Sequence, residues 1–399
     1  MTTADLPAFP GERTARCPFN PPAEYTRWRK EEGLRRVNWN GHTVWAVSRY
    51  EDIRTAMTHP AVSAEVLGVL QGNGNQGGPN APETFPRMDD PEHARLRRML
   101  TKDFTVKRVN AMRPRIEEMA NDFIDKMIAK GQSGDLVQDY ALPIPSLVIS
   151  LLLGVPYTDH DFFQTITSTL MNMNTPPEEK ARASREFFGY MMELVARKER
   201  EPGDDLMSRV IREHVQTGEL RRETAAMNGQ ILLNAGHETT ANMIALGTAA
   251  LLENPDAAAS IRDTDDPAVI ANAVEELLRY LTIVHSLIAR IATEDVEIGG
   301  TLVKAGEGLI MNLPAGNWDS TFTAEPEMLD LDRPARGHLA FGYGVHQCIG
   351  QTLARAELEI ALRTLLRRLP GLRLAVPIEE IRFRNDMSIY GVHELPVTW

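Results

Sequence analysis

Apolar residues recur every three or four positions through the middle of the chain, and this spacing predicts helices from about residue 90 to residue 281. Prolines break the pattern at Pro143/Pro145, Pro156, Pro176/Pro177, Pro202 and Pro255. The longest uninterrupted stretch runs from about Arg222 to Glu253, and a further helix is predicted over 350–369. The pattern is typical of a mainly α-helical protein.

Alternating apolar and polar positions predict short strands on either side of this helical region. Val37–Trp39 and Thr43–Val47 flank Asn40-Gly41, which indicates a tight hairpin. A second small hairpin is predicted around Gly299-Gly300, and short strands are predicted near the C-terminus at 372–376, 389–392 and 395–399. We therefore expect one domain over 1–399, with a β-rich lobe (about 34–60, 283–315 and 372–399) and a helical lobe (about 90–281 and 350–369).

Glycines and prolines are concentrated in residues 68–86. This composition predicts a loop, here taken as 62–88, with little regular structure. The loop is either an exposed connector or a lid over a cavity.

Composition excludes several classes of function. The formal net charge of −12 argues against binding to nucleic acid or to anionic membrane surfaces. No apolar run is long enough to span a bilayer, and charged residues interrupt the first residues, so neither membrane insertion nor a secretory signal is predicted. The two cysteines, Cys17 and Cys348, give no disulfide framework. A cytoplasmic monomer is expected.

One cysteine lies in an unusual setting. Cys348 is preceded by Phe341, Gly342 and Gly344, is followed by Gly350, and stands directly before a predicted helix. A helix N-terminus favours a thiolate over a thiol, and glycines let the backbone approach a flat cofactor closely. A cysteine beside glycines can also be inert packing. The alternative interpretation is that Cys348 is an axial metal ligand.

The longest predicted helix contains a second unusual segment, Leu232–Thr240, in which Gly236 is followed by Glu238 and two threonines. Glycine and threonine both weaken a helix, so the segment indicates either a kinked core helix or a functional site. His237-Glu238 does not start a zinc-protease motif, because position 241 is alanine.

Together these segments resemble the cytochrome P-450 monooxygenases. Phe341, Gly344, Cys348 and Gly350 meet the pattern F-x-x-G-x-x-x-C-x-G of the haem-ligand loop, and Ala235–Thr240 meets the oxygen-groove pattern [AG]-G-x-[DE]-T-[TS]. The resemblance covers the whole chain and is closest to actinobacterial members that tailor secondary metabolites. It implies the P-450 fold, haem b, and Cys348 as the iron ligand.

The resemblance also implies roles for individual residues. Thr239 and Glu238 would deliver protons beside bound dioxygen, and Ala235 and Gly236 would open the groove next to the iron. The E-x-x-R pair Glu276 and Arg279 would be a buried structural pair. The cofactor-binding residues implied are His93, Arg97, Arg290 and His346 toward the haem propionates, and Phe341, Gly342 and Gly350 in the loop. One departure is Trp318, where the family more often has arginine.

The expected substrate is a sizeable hydrophobic molecule of polyketide, macrolide, statin-like or secosteroid type. The candidate substrate-binding residues are Leu232, Ala235, Ile283, Val284, Leu287 and Ile389. Electrons would come from NAD(P)H through a ferredoxin reductase and a ferredoxin, which could dock on the cationic face formed by Arg95, Arg98 and Lys102. Two alternatives stay open: the same haem site used for peroxide-driven oxidation or nitric oxide reduction, and a non-catalytic haem sensor.

Overall fold

The helices of the computed structural model dominate the fold, which is described here for residues 3–14, 16–65 and 82–399. These residues contain α1 (Ala23–Lys30), α2 (Tyr50–Thr58), α3 (Glu92–Thr101), α4 (Val106–Lys130), α5 (Pro143–Leu153), α6 (His160–Met171), α7 (Pro177–Arg200), α8 (Leu206–Val210), α9 (Arg222–Leu252), α10 (Pro255–Asp263), α11 (Pro267–Leu281), α12 (Leu313–Asn317) and α13 (Gln351–Arg368). The predicted mainly α-helical class is confirmed. Most of the predicted loop 62–88 lies outside the described residues, so its interpretation as a lid stays a prediction.

The strands are short. They are β1 (Arg35–Trp39), β2 (His42–Val47), β3 (Val62–Ser63), β4 (Ser133–Asp135), β5 (Ala289–Ala292), β6 (Val296–Ile298), β7 (Thr301–Val303), β8 (Gly308–Met311), β9 (Arg373–Leu374) and β10 (Pro396–Thr398). A five-stranded sheet has the order β1-β2-β8-β5-β3, in which β2 and β8 run parallel. The predicted hairpin joins β1 to β2, and Asn40 (φ 51°) and Gly41 (φ 83°) both adopt the left-handed conformation that such a turn requires.

The C-terminal strands lie elsewhere than expected. β10 pairs with β4 and β9 in a separate three-stranded sheet and not in the five-stranded sheet. The Asp135 carboxylate accepts a hydrogen bond from the Leu395 backbone N–H (2.8 Å) and fixes this connection. The predicted strand at 389–392 is absent; Ile389 and Val392 make only isolated bridges, to Val284 and Phe383.

Helix α9 forms the centre of the helical core. Of its 31 residues, 22 are buried, because α5, α7 and α13 pack around it. A second apolar cluster lies between α2 and the five-stranded sheet, and Val284 packs against both clusters. Since the two cores touch through this residue, we propose that the chain folds as a single domain.

Membrane-spanning helices were sought in the same described residues. No helix there combines the length and the apolar character that crossing a bilayer demands.

Candidate active site

Cys348 lies in a loop that the backbone holds closed in front of α13. The Cys348 N–H donates to the Phe341 carbonyl oxygen (2.9 Å), and Gly342 (φ 71°) and Gly344 (φ 73°) take left-handed conformations. A Cβ on Gly344 would lie 3.0 Å from Thr58 and 3.3 Å from the Met57 carbonyl oxygen, so only glycine fits without displacement. The loop therefore has a fixed shape.

Cys348 is exposed, so its sulfur is open to a ligand. Burial raises the pKa of the Cys348 thiol, although the N–H groups of Gly350 and Gln351 and the charges of Arg97 and Arg355 act in the opposite direction. The N–H groups at the helix N-terminus lower the pKa of the thiol, as predicted. Burial raises this pKa by more, so the net shift is upward. A bound metal cation would stabilise the thiolate form here.

Two histidines beside this loop carry unsatisfied nitrogens. The rings of His93 on α3 and His346 are tilted by 38° with centroids 4.1 Å apart. Nε2 of His93 and Nδ1 of His346 are buried without a hydrogen-bond partner among the described residues. The other nitrogen of His93 contacts Asp90 Oδ1 at 3.0 Å. Buried polar atoms are normally paired, so this arrangement indicates a polar ligand.

Two arginines complete this set. Arg97 donates to the Gln347 carbonyl oxygen (2.6 Å), and Arg290 on β5 is buried, which lowers its pKa. Burial, together with the charges of Arg290 and other neighbours, lowers the pKa of His346 to about 4. Four nitrogen-bearing side chains thus converge with few acids between them, which fits a ligand carrying carboxylates. The residues present therefore suit a flat dianionic macrocycle whose metal binds Cys348.

Side chains on consecutive positions of α9 point to different surroundings. The Thr239 hydroxyl donates to the Ala235 carbonyl oxygen (2.7 Å), and Ala235 itself is accessible. Glu238 is buried and is held by Asn242 and Arg384. Among the described residues Glu238 and Thr239 share no direct hydrogen bond, so the predicted relay between them would have to pass through water or a rearrangement.

Gly236 and His237 connect α9 with neighbouring helices. A Cβ on Gly236 would lie 2.6 Å from the Ile149 side chain, so the glycine permits close packing of α5 on α9. His237 contacts the Leu233 carbonyl oxygen (2.8 Å) and the Thr167 hydroxyl of α6 (3.0 Å). Burial lowers the pKa of His237, which is consistent with a neutral ring in the core.

The pair Glu276 and Arg279 on α11 is fully buried. Arg279 Nε and Nη2 each donate to a carboxylate oxygen of Glu276 at 2.7 Å, in fork geometry. Arg279 Nη1 also donates to the carbonyl oxygens of Asn317 (3.1 Å) and Pro326 (2.9 Å). The pair thus joins α11 to the last residue of α12 and to the irregular segment that follows it.

Trp318 departs from the family pattern, and its contacts explain why a tryptophan fits at this position. Its ring stacks on Tyr280 with centroids 5.2 Å apart, and its indole N–H donates to the Tyr280 carbonyl oxygen (2.9 Å). The side chain is buried and closes the end of α11, so it has a packing role.

The predicted substrate-binding residues occur in two environments. Leu232, Ile283 and Ile389 are buried, and Ile389 forms a bridge with Val284. Ala235 is accessible, and Leu287 is 38% exposed. A separate cleft of about 290 Å³ near Arg108, Leu151 and Arg212 contains none of the predicted site residues.

Sequence reasoning missed Arg384, Asn242 and Thr167, which all contact the central segment of α9. Asn242 could have been found, because it lies four residues after Glu238 on the same helix face. Arg384 is 146 positions from Glu238, and nothing local in the sequence relates the two.

Comparisons with known proteins agree with this geometry. The cytochrome P-450 family model matches residues 20–371. The chain is 50% identical to cytochrome P-450-SU2 of Streptomyces griseolus, with both chains fully covered, and 47% identical to GfsF of Streptomyces halstedii, covering 99% of this chain and 97% of that one.

Solved structures show the same likeness. The crystal structure of GfsF superimposes with a TM-score of 0.89 at 46% identity, covering 98% of this chain and all of that one. The mycinamicin VIII C21 methyl hydroxylase MycCI of Micromonospora griseorubida, bound to mycinamicin VIII, gives a TM-score of 0.92 at 36% identity, covering 99% of this chain and all of that one.

The fold and the comparisons together define a haem-dependent enzyme. The chain belongs to the cytochrome P-450 family, and like that family it depends on haem. The expected enzyme class, a P-450 monooxygenase of the kind found in actinobacteria, is confirmed.

Proposed function

We propose that this enzyme inserts one oxygen atom of O2 into a C–H bond of a sizeable hydrophobic molecule of polyketide, macrolide, statin-like or secosteroid type. The observation that carries the proposal is the convergence of Cys348 with the unsatisfied nitrogens of His93 and His346. Relatives acting on large skeletons support the substrate class: MycCI is a mycinamicin hydroxylase, and a 42%-identical relative is a vitamin D3 dihydroxylase.

Cys348 would bind the iron of haem b, and His93, Arg97, Arg290 and His346 would bind its propionates. The cofactor, when bound, supplies reductive activation of O2, and a cysteine thiolate favours O–O cleavage. Arg290 is buried and Arg97 is half-buried, so little water would compete with their hydrogen bonds to carboxylates. Phe341, Gly342 and Gly350 would shape the loop that holds the sulfur in place.

Thr239 and Glu238 would move protons during the reaction. Thr239 is partly accessible beside Ala235, so its hydroxyl can contact a small molecule there. Glu238 is the acid nearest in sequence, and it would supply protons to Thr239 while the surrounding pocket excludes bulk water. Leu232, Ala235, Ile283, Val284, Leu287 and Ile389 would form walls of the substrate pocket.

We further propose that electrons arrive from NAD(P)H through a reductase and a ferredoxin that docks on the face carrying Arg95, Arg98 and Lys102. Arg95 is paired with Glu83 (3.2 Å) and Lys102 with Glu213 (2.9 Å). Arg98 is exposed and has no acidic partner among the described residues, so it is the strongest candidate contact. We place the enzyme in the cytoplasm, as a monomer.

The decisive test uses the cysteine. Purified enzyme, reduced under carbon monoxide, should show the red-shifted Soret band that thiolate ligation produces, and Cys348→Ser should lose this band. Cys17→Ser is the matched control, because Cys17 is exposed and lies in the N-terminal segment. An unchanged spectrum in Cys348→Ser would refute the proposal. A compound screen for substrate-induced Soret shifts would then identify the substrate.

A further inference from the structure

Arg13, in the N-terminal segment, is a buried arginine without an acidic partner among the described residues. Its side chain belongs to a residue that is 5% exposed. Burial lowers the pKa of Arg13, and the ionisable groups that act on it are tyrosines rather than carboxylates. A buried cation is costly unless other groups compensate its charge, so polar groups around Arg13 must supply this compensation.

The compensation comes from the C-terminal end of α11. Arg13 Nη2 donates to the carbonyl oxygens of Leu281 (3.1 Å) and Thr282 (3.3 Å). The last carbonyls of a helix lack partners within the helix and carry partial negative charge, so a cation is stabilised there. The Arg13 guanidinium also lies over the Tyr390 ring, 4.1 Å from its centroid. Arg13 thus joins the end of α11 to Tyr390.

Thr282 adopts a strained backbone conformation. Its φ of 35° lies in the left-handed region, which a β-branched residue rarely occupies. The Thr282 hydroxyl donates to the Arg279 carbonyl oxygen (2.7 Å) and accepts from the Asn317 side-chain amide (2.8 Å). Such strain persists only where the surroundings fix it, and Arg13 supplies the contact to the Thr282 carbonyl oxygen.

Two short segments that meet at Arg13 form part of the proposed substrate pocket. We call residues 283–285 and 387–390 the paired segments. The first follows Thr282 directly and the second ends with Tyr390, so Arg13 contacts both at their common end. The predicted substrate-binding residues that they carry are Ile283, Val284 and Ile389.

The paired segments are held side by side along their length. The Tyr390 N–H donates to the Ile283 carbonyl oxygen (2.8 Å). At the other end, His285 Nε2 lies 2.7 Å from the Met387 carbonyl oxygen, and burial lowers the pKa of His285 to about 4, which keeps the ring neutral. Because these contacts enclose the isolated bridge described above, a shift of one segment would shift the other.

The N-terminal segment is itself attached at this point. Arg13 Nη1 donates to the Phe19 carbonyl oxygen (2.9 Å), and the Arg13 backbone N–H donates to Asn385 Oδ1 (3.3 Å). The Tyr390 hydroxyl donates to the Pro18 carbonyl oxygen (2.8 Å). The arginine is therefore fixed through both its backbone and its side chain.

We propose that Arg13 is a positioning residue that sets the shape of the substrate pocket by fixing the paired segments at their common end. It acts through Thr282 and Tyr390 rather than by contact with the substrate. The inference rests on the proposed function, because that function makes the paired segments a wall of the pocket. It gives the N-terminal segment, in which no site residue was predicted, a role in substrate specificity.

Hydrogen–deuterium exchange measured by mass spectrometry tests this positioning. In Arg13→Met, we expect peptides that cover the paired segments to exchange faster, by about tenfold at the Tyr390 N–H. Peptides from α9 should exchange as they do in the wild type. A merely structural role would instead lower the unfolding temperature and speed exchange throughout the chain.

A second readout measures the pocket in the haem-loaded enzyme with two azoles. Imidazole is too small to press on the pocket walls when it binds the iron, whereas clotrimazole carries bulky aryl groups that must fit between them. In Arg13→Met, we expect the Kd of clotrimazole, obtained by Soret titration, to rise about tenfold. The Kd of imidazole should change by less than about twofold.

Arg16→Met is the matched control, because Arg16 is an exposed arginine of the same segment. This variant should keep the wild-type exchange and both wild-type dissociation constants. Arg13→Lys should give smaller changes than Arg13→Met, because a lysine keeps the positive charge at the end of α11 without the guanidinium fork. If Arg13→Met does not fold, Arg13→Lys is judged against the wild type by the same measurements.

Either of two results overturns the inference: wild-type exchange of the paired segments in the Arg13 variants, or an unchanged ratio of the two azole dissociation constants. A Tyr390 N–H that exchanges in the wild type as fast as an unprotected amide also overturns it, and this measurement needs no variant to fold. Failure of the proposed function looks different. The wild-type enzyme would then lack the red-shifted carbon monoxide band and the azole-induced Soret shifts, while the exchange result stood unchanged.

Discussion

Arg279 donates a hydrogen bond from Nη1 to the carbonyl oxygen of Asn317 at 3.1 Å, although 38 positions separate the two residues. The same guanidinium is bound in fork geometry by Glu276. One buried cation therefore neutralises an acid on its own helix and also satisfies backbone oxygens of an irregular segment. This explains why an ion pair at this spacing is structural here rather than a surface contact.

Breaking this pair should be strongly destabilising. Glu276→Gln leaves Arg279 buried without its counter-ion, and we expect a loss of about 3–5 kcal/mol in the free energy of unfolding. Denaturant titration measures this loss. Glu118→Gln is the control, because Glu118 and Arg115 form an exposed pair at the same spacing on α4, which should contribute less than about 1 kcal/mol. Equal losses in the two variants would contradict the structural role.

Trp318 should contribute to the stability of the fold through both its ring and its N–H. Trp318→Ala removes the stack on Tyr280 and should cost about 3–5 kcal/mol of unfolding free energy. Trp318→Phe keeps an aromatic ring but leaves the Tyr280 carbonyl oxygen without its donor, and it should cost less. If Trp318→Phe were as damaging as Trp318→Ala, the hydrogen bond rather than the stack would dominate.

Two glycines on α9 should respond oppositely to alanine. Gly236→Ala places a Cβ 2.6 Å from Ile149 and should cost about 1–3 kcal/mol, whereas a Cβ on Gly247 would meet Leu362 at an ordinary 3.9 Å. Gly247→Ala should therefore be neutral or stabilising by up to about 1 kcal/mol. Ile149→Ala should partly rescue Gly236→Ala in thermal unfolding. The absence of rescue would exclude this contact as the cause.

Glu275 should make stability depend on pH in the acid range. Burial alone raises the pKa of Glu275, but hydrogen bonds from His338 and Arg355 and their charges outweigh it and lower the pKa from 4.5 to about 2. A depressed folded-state pKa gives stability that is present above the unfolded value of 4.5 and is lost as the pH falls toward 2.

The corresponding variant is Glu275→Gln. Its unfolding free energy should fall less steeply than that of the wild type when denaturant titrations are compared from about pH 6 to about pH 3. Glu297→Gln, an exposed acid on β6, should keep the wild-type slope. Parallel curves for wild type and Glu275→Gln would show that the network does not perturb the carboxylate.

The Arg355 side chain links this network to the cysteine loop. Its guanidinium binds Glu275 and lies 4.6 Å from the centroid of the Phe341 ring. A change in Glu275 could thus also alter the loop, and the carbon monoxide spectrum of Glu275→Gln should be recorded beside its stability. We expect the spectrum to keep its red-shifted band, because Cys348 itself is untouched.

The sequence by itself determined the features that depend on neighbouring residues. Asn40-Gly41 specified a turn with two left-handed residues, and the long run without proline from Arg222 to Asn254 specified α9. Phe341–Gly350 specified the cysteine loop and hence the family. Such features could be predicted because backbone preferences and side-chain periodicity act over a few residues.

Only the tertiary structure decided which distant segments meet. It paired β10 with β4 rather than with the five-stranded sheet, gave Trp318 its stack on Tyr280, and brought Arg384 to Glu238. The physical reason is that these contacts depend on how whole helices pack. An arginine in a local sequence carries no mark of the acid it will neutralise 146 positions away.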